Sequence, residues 1–467
     1  MKNKNQFNGD SAMTSKKIVS RTQQRIHIKT LARAAALVLI ISGHVSATDW
    51  GQWRGPNRDG VSTERPLVDR WPEGGPTLLW KAPGMGIGFA GVSVVGDRIY
   101  TMGDLPNGQQ CVLSIETSTG KQVWATPIGP AWTDNYKGPR CTPTVDGDAV
   151  YVVSSHGSIA CINAVDGKAR WARDFKNDFV GKMMSGWGFS ESPLIDGEFL
   201  ICTPGGEQAL LVCLQKKTGK DVWRTPSEAN MGTKGKDGAG YSSVVISNAV
   251  GRKQYVQLIG RGVVGVDAKT GRLLWGYNKI ANDTANISTP IVKDNRVFVS
   301  TGYGTGAALV ELSQGGPTGV VSKEVWFLEA KDLQNHHGGM VLIGDHIYGG
   351  HGNNNGFPIC IEMKTGTIAW QKERGPGTGS AAVMAADGKL YFRYENGLMA
   401  LIGATPNKYE EFGTFQIPDV SQPSWSHPTV ANGKLFLREQ DSLYCYDIAG
   451  SAKASLPTKK NILVGAK

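Results

Sequence analysis

The chain has no pair of adjacent cysteines and no C-x-x-C among its seven. That leaves no zinc-ribbon spacing and no thioredoxin-type redox pair. It has no P-loop, no dinucleotide-binding fingerprint and no Ser-His-Asp signature, which argues against nucleotide-driven and serine-hydrolase chemistry. It has no apolar run long enough to cross a bilayer comfortably; the best is Ala34–Ile41. An excess of basic charge over the body is also missing. The formal charge is +10, but residues 1–47 hold eight Lys and Arg against Asp10 alone. The remaining +3 is shared with a tail bearing Lys453, Lys459, Lys460 and Lys467. Nucleic acid is therefore not an expected partner, because it needs a clustered basic face.

The basic first region, the short apolar run and Val45-Ser46-Ala47 together read as an export signal cleaved after Ala47. Met13 is an alternative start. There is no Arg-Arg pair and no cysteine near the cleavage site, so neither a twin-arginine signal nor a lipid anchor is expected. A soluble, periplasmic or secreted monomer with no transmembrane segment is expected.

What the chain has is Gly, 61 of them, 13 Trp, and one phrase repeated. ETSTGKQVW (116–124), NAVDGKARW (163–171), QKKTGKDVW (215–223), DAKTGRLLW (267–275) and EMKTGTIAW (362–370) are copies, with degenerate ones ending at Trp326 and near Phe415. Upstream of them stand phrases such as TPTVDGDAVYVVS (142–154) and TPIVKDNRVFVS (289–300). Trp80, Trp124, Trp171, Trp223, Trp275, Trp326 and Trp370 are spaced by 44, 47, 52, 52, 51 and 44 residues. A period of this size with four short strands per unit predicts a β-propeller. Strand A runs from the S/T-P to a D-G-like turn, B follows, C ends at the acidic or amide residue, and D carries the Trp. Gly in the C–D turn supplies positive φ. The Trp is a plate that one sheet cannot bury but the next blade can.

The last unit ends at SLYCYD (442–447) with no Trp strand after it, while TLLWKAP (77–83) stands spare at the start. The N-terminal strand is expected to complete the final blade, giving eight blades, with seven as the alternative. The expected organisation is a signal over 1–47, a strap over 48–76, the propeller over 77–450 and a tail over 451–467. Cys161, Cys213, Cys360 and Cys445 share a strand-C slot that Ser114, Gly265 and Ala400 hold elsewhere, so buried free thiols are expected.

The repeat resembles that of the PQQ-type β-propellers, which include quinoprotein alcohol dehydrogenases and the propeller subunit of the outer-membrane β-barrel assembly machine. WGQWRGPNRDGVS (50–62) with WPEGGPTLLWKA (71–82) also resembles the start of a group of exported PQQ-repeat proteins. The resemblance implies the fold over about 77–450. It does not transfer a function directly: the vicinal disulfide of the dehydrogenases and the lipid-bearing Cys of the assembly subunit are both missing, and their calcium-binding Glu, Asn and Asp set has no located counterpart.

Candidate residues follow from the blade plan. The start of A and the end of B share one end of a blade, which brings His156, His336, His337, His351 and His427 to one face and leaves His346 at the other. His351 is expected beside His337. The same loops carry Trp132, Tyr136 and Arg140, then Met183, Trp187, Phe189 and Glu191, then Tyr241, Asn286, Asn353 to Asn355, and Trp425. This mouth is the expected ligand site, with Arg140, Trp187, Glu191, Tyr241, His336, His337, His351, Trp425 and His427 as its binding candidates. No metal site is expected: His337 with His351 lacks a third ligand, and the three asparagines suit a turn better than a cation. Glu191 is read either as a general base beside Arg140 or as half of an ion pair on the channel wall. Trp50 and Trp53 are expected to pack on the propeller wall, as a strap or as a gate.

The leading expectation is a scaffold that binds a small molecule, a glycan or an envelope protein through this face. The alternatives are a dehydrogenase using PQQ with calcium, with Glu191 taking the substrate proton, and a glycan-binding module.

Overall fold

A computed structural model describes residues 49–228 and 231–451. The expected signal, its cleavage site and nearly all of the tail lie outside the described residues. Among the described residues no helix is long and apolar enough to cross a membrane.

Eight antiparallel sheets follow one another, each of four blade strands. Blade four shows the plan: Val245–Ser247, Gln254–Ile259, Gly262–Asp267 and Leu273–Tyr277 run from the inside outward. The innermost strand is short, and the middle two are fully buried in this blade. Thr77–Pro83 pairs antiparallel with Ser442–Asp447, placing Trp80 opposite Cys445 and Lys81 opposite Tyr444. The N-terminal strand thus closes the ring, and the count is eight.

The repeated phrase is resolved into two contacts. The indole N–H of Trp124 donates to the carbonyl of Ala164 at 3.2 Å, in the C–D turn of the next blade. Trp171 reaches Lys216, Trp223 reaches Ala268 and Trp80 reaches Thr117 in the same way. Beneath each indole lies the Gly of that neighbouring turn. A Cβ on Gly167, Gly219 or Gly271 would stand 2.7, 2.7 or 2.6 Å from the preceding blade's indole. The Gly is required twice, for a φ near +70° and for the close approach. The cysteine slot faces the same ring across strands C and D, as in Cys161 opposite Trp171 and Cys213 opposite Trp223. All seven cysteines are free and buried.

Where the phrase degenerates, the contact changes. Blade five has a long hairpin, Gly306–Gly315 with Gly319–Glu329, in place of the T-G turn. The Trp275 indole facing it donates to Gln254 of its own blade instead. Blade seven has Gly413, not an aromatic residue, at the Trp position opposite Leu401; Trp71 packs against that glycine and meets Phe415, two residues on, edge to face at 5.0 Å, with Gly75 beneath Phe415.

Residues 50–62, expected on the propeller wall as a strap, lie inside the ring. Asp49 accepts from Gly96 at the A–B turn of blade one, and Trp50 pairs with Val94. The chain then passes Val145 of blade two and turns over between residues 52 and 58. It descends with Val61–Ser62 pairing parallel to Ala381–Ala386 of blade seven. Glu64 accepts from Asn432 and Gly433 at the A–B turn of blade eight. The inner strands offer this hairpin backbone groups that an outer-wall strap would leave unpaired in the channel. The central channel is therefore plugged by residues 50–62 of the chain itself.

Candidate functional site

The loops that enter the innermost strands meet above the plug and enclose a cavity of about 440 Å³. All eight blades contribute to its lining, and Trp53 and Arg54 come from the tip of the plug. A plugged channel with an open mouth is a blind pocket, not a pore.

The floor is set by the plug. Trp53 donates its indole N–H to Thr289 Oγ1 at 3.0 Å and meets His427 edge to face at 4.5 Å. Arg54 and Arg58 both take left-handed backbone conformations, φ 59° and 57°, which cost non-glycine residues roughly 1 kcal/mol each. Both side chains are 4% exposed. Arg58 donates to the carbonyls of Ser192 and Pro193 and so pins the plug to blade three. Arg54 Nη2 donates to the carbonyls of Asp59 and Met340, while its Nε and Nη1 are buried without a hydrogen-bond partner. Burial lowers both guanidiniums to about 10, so they remain cationic at neutral pH.

An aromatic wall rises above Arg54. Trp425 lies 5.0 Å from Phe89, 4.7 Å from Tyr136 and 4.6 Å from His337, ring centre to ring centre. Its indole donates to Glu395 at 3.0 Å. His336 meets His337 at 4.2 Å with the rings tilted by 43°. Its ring nitrogens lie 2.8 Å from the Tyr303 hydroxyl and 2.7 Å from Ser380 Oγ, and Ser380 donates on to Asn354. That order places a proton on Nδ1, and in the neutral ring leaves Nε2 to accept from Tyr303. Opposite, Trp187 meets Tyr241 at 5.8 Å, and Tyr241 shares a 2.6 Å hydrogen bond with Ser185.

Burial holds the mouth histidines neutral. His336 is lowered to about 4, His427 to about 3 and His337 well below its usual value. His337 Nε2 is buried without a partner.

Of the nine candidates, the fold brings Arg140, Trp187, Tyr241, His336, His337, Trp425 and His427 to the cavity. Two lie elsewhere. His351 is not beside His337; its Nδ1 accepts from the Gln334 backbone at 3.2 Å, because strand pairing ends at Met340 and the loop turns away. Glu191 is not beside Arg140. It is 3% exposed behind the wall and accepts from the Thr203 N–H at 2.6 Å and hydroxyl at 3.0 Å. Its nearby cation is Arg58 of the plug, whose donors go to the Ser192 and Pro193 carbonyls. Burial raises Glu191 to about 8, against the opposing pull of Thr203 and Arg58. Arg140 spends its donors on the carbonyls of Gly138, Asn135 and Tyr136.

Trp53, Arg54, Tyr303 and Glu395 line the cavity and are not among the nine candidates. Tyr303 and Glu395 occupy B–C loops just after strand B, next to the strand-B end that supplied His351, and that position was the available signal. Trp53 and Arg54 stand outside the repeat.

A calcium-bound quinone does not fit this lining. Glu395 is the one carboxylate on it and already accepts from Trp425 and Ser380. Calcium takes six to eight oxygen ligands. Among the described residues no three His, Cys, Asp or Glu side chains are grouped to hold a metal ion, and no two cysteines adjoin to stack a quinone.

Fold and repeat define an eight-bladed propeller of the PQQ-repeat class. Residues 108–372 match the family model described as outer membrane protein assembly factor BamB, and the chain belongs to that family. It is 22% identical over 322 residues to the BamB of Shewanella oneidensis, covering 67% of this chain and 70% of that one. BamB from Moraxella catarrhalis superposes with a TM-score of 0.56 at 14% identity, over 81% of this chain and 99% of that one. Quinohemoprotein alcohol dehydrogenase from Comamonas testosteroni gives 0.58 at 12% identity, over 90% and 83%. At such identities the structures share the fold alone.

Proposed function

We propose that this protein is an exported binding scaffold of the cell envelope that receives its ligand, or a projecting group of a partner protein, in the mouth cavity. The observation that carries the reading is the blind, aromatic-walled cavity of about 440 Å³, within the roughly 300–1,000 Å³ of small-ligand pockets. Its walls are held by their own hydrogen bonds, so the site is formed before anything binds. Relatives named as outer membrane protein assembly factors support the envelope setting and a protein-facing role.

The test uses an envelope extract passed over the immobilised protein. Ser190 lines the cavity and is part-exposed, so Ser190→Trp fills the mouth without touching the blade cores. Components retained by the native protein are expected to be lost from the filled variant. Equal retention by a folded Ser190→Trp protein would sink the reading.

A further inference from the structure

Three kinds of group meet in the mouth cavity, and the hydrogen bonds within the protein leave some of them unfinished. Arg54, at the floor, is a buried cation. Among the described residues it forms no ion pair, and two of its nitrogens have no partner. A buried donor without an acceptor is destabilising, and more so when charged. His337 Nε2 is a second unpartnered polar atom on the same lining. His427 sits by both, its Nε2 3.5 Å from the His337 carbonyl and its ring close to Gly339, which a Cβ would bring within 2.5 Å of Arg54 Nη1. With Arg140 the lining carries two cations against the single carboxylate of Glu395.

The same lining combines flat rings with small hydrogen-bonding side chains. Trp53 at the floor and Trp187 and Trp425 on the walls supply the rings; Ser190, Thr289 and Asn353 supply hydroxyl and amide groups. An aromatic acid would use the rings alone. A pyranose uses both, since its C–H faces pack on aromatic planes while its hydroxyls seek polar partners.

We infer that the mouth cavity is a site for an acidic sugar, with the carboxylate of a uronate residue paired to Arg54 and its ring held among Trp53, Trp187 and Trp425. The guanidinium presents a planar fork that matches a carboxylate, and the incoming anion supplies the acceptor that its Nε and Nη1 lack. His337 Nε2 serves a ring hydroxyl. The inference rests on the scaffold reading and adds the chemical class of the ligand.

Isothermal titration of the full chain, as exported, tests it with four probes: trigalacturonate, its neutral methyl ester, the uncharged trisaccharide maltotriose, and benzoate. Trigalacturonate is expected to bind, and its methyl ester at least about tenfold more weakly, the factor for losing a hydrogen bond to a charged group. Benzoate is expected to bind more weakly than trigalacturonate; the reverse order would overturn the sugar assignment. Arg54→Lys keeps the charge but loses the fork, and is expected to weaken trigalacturonate at least about tenfold. If that variant does not fold, the comparison of acid with methyl ester on the native protein decides alone. Equal binding of acid and ester, or no binding of trigalacturonate, overturns the inference. In that event, continued loss of envelope components by Ser190→Trp leaves the scaffold reading standing, and no such loss removes both.

Discussion

Gly219 lies against the indole of Trp171, so close that a Cβ there would stand 2.7 Å from the ring. The two residues belong to successive blades, and the same pairing recurs as Gly167 with Trp124 and Gly271 with Trp223. The T-G of one copy of the phrase is thus the seat for the Trp of the copy before it. Gly219→Ala meets both a positive φ of 68° and the ring. It is expected to destabilise by about 1–3 kcal/mol, read by denaturant unfolding. Gly197→Ala is the control: it has a φ of 60° but open space around its Cβ, and so reports the backbone cost alone. Equal losses would show that the indole seat contributes nothing.

One indole spans the seam at which the ring closes. Trp80 donates to Thr117 at 3.2 Å and lies over Gly120, tying the N-terminal strand to blade one while it pairs with blade eight. Trp80→Ala is expected to cost about 3 kcal/mol and to expose Thr77–Pro83 to limited proteolysis. Protection of that strand in the variant, at unchanged stability, would mean that backbone pairing alone closes the ring.

The blades were legible in the sequence because each repeat writes its own strands, turn and Trp within about fifty residues. The closing strand was legible as a copy short by one strand at the end and long by one at the start. Most of the cavity followed, since any loop entering strand A must reach the mouth. Arg54 and Trp53 did not follow. Their partners, Met340 and Thr289, lie on blades six and five, and no periodicity announces a segment that occurs once. Glu191 was placed by its loop but not by its direction: Thr203 and Gln257 draw it behind the wall.

Acid is expected to weaken the mouth. His336 and His427 have folded values of about 4 and 3, below the ordinary 6.5. The folded state therefore binds fewer protons than the unfolded chain between those values. Their contribution is complete above pH 6.5 and is lost as pH falls toward 4 and below. The melting temperature should drop from pH 7 to pH 5, and His427→Gln should reduce the drop. An unchanged drop would show that His427 is hydrated and free to charge in the folded protein.

Glu191 carries the opposite sign. Its folded value is about 8 against an ordinary 4.5, so between these pH values the folded state holds the extra proton. Stability contributed by the neutral carboxyl is present below 4.5 and is lost as pH rises through 8. Glu191→Gln keeps an acceptor for Thr203 and removes the titration. It is expected to be stabilising at pH 8 by an amount of the order of a kilocalorie per mole, and closer to neutral at pH 5. Arg58 decides how much of this is realised, since its guanidinium is the cation that favours the charged form. Replacing Arg58 by Met should unpin the plug from Ser192 and Pro193 and raise the Glu191 value further. The two substitutions should then be non-additive in a double-mutant cycle, because Arg58→Met costs less once no buried carboxylate faces it. Additive losses would mean that Arg58 acts only through the carbonyls it holds, and that the charge of Glu191 is not part of what keeps the N-terminal hairpin in the channel.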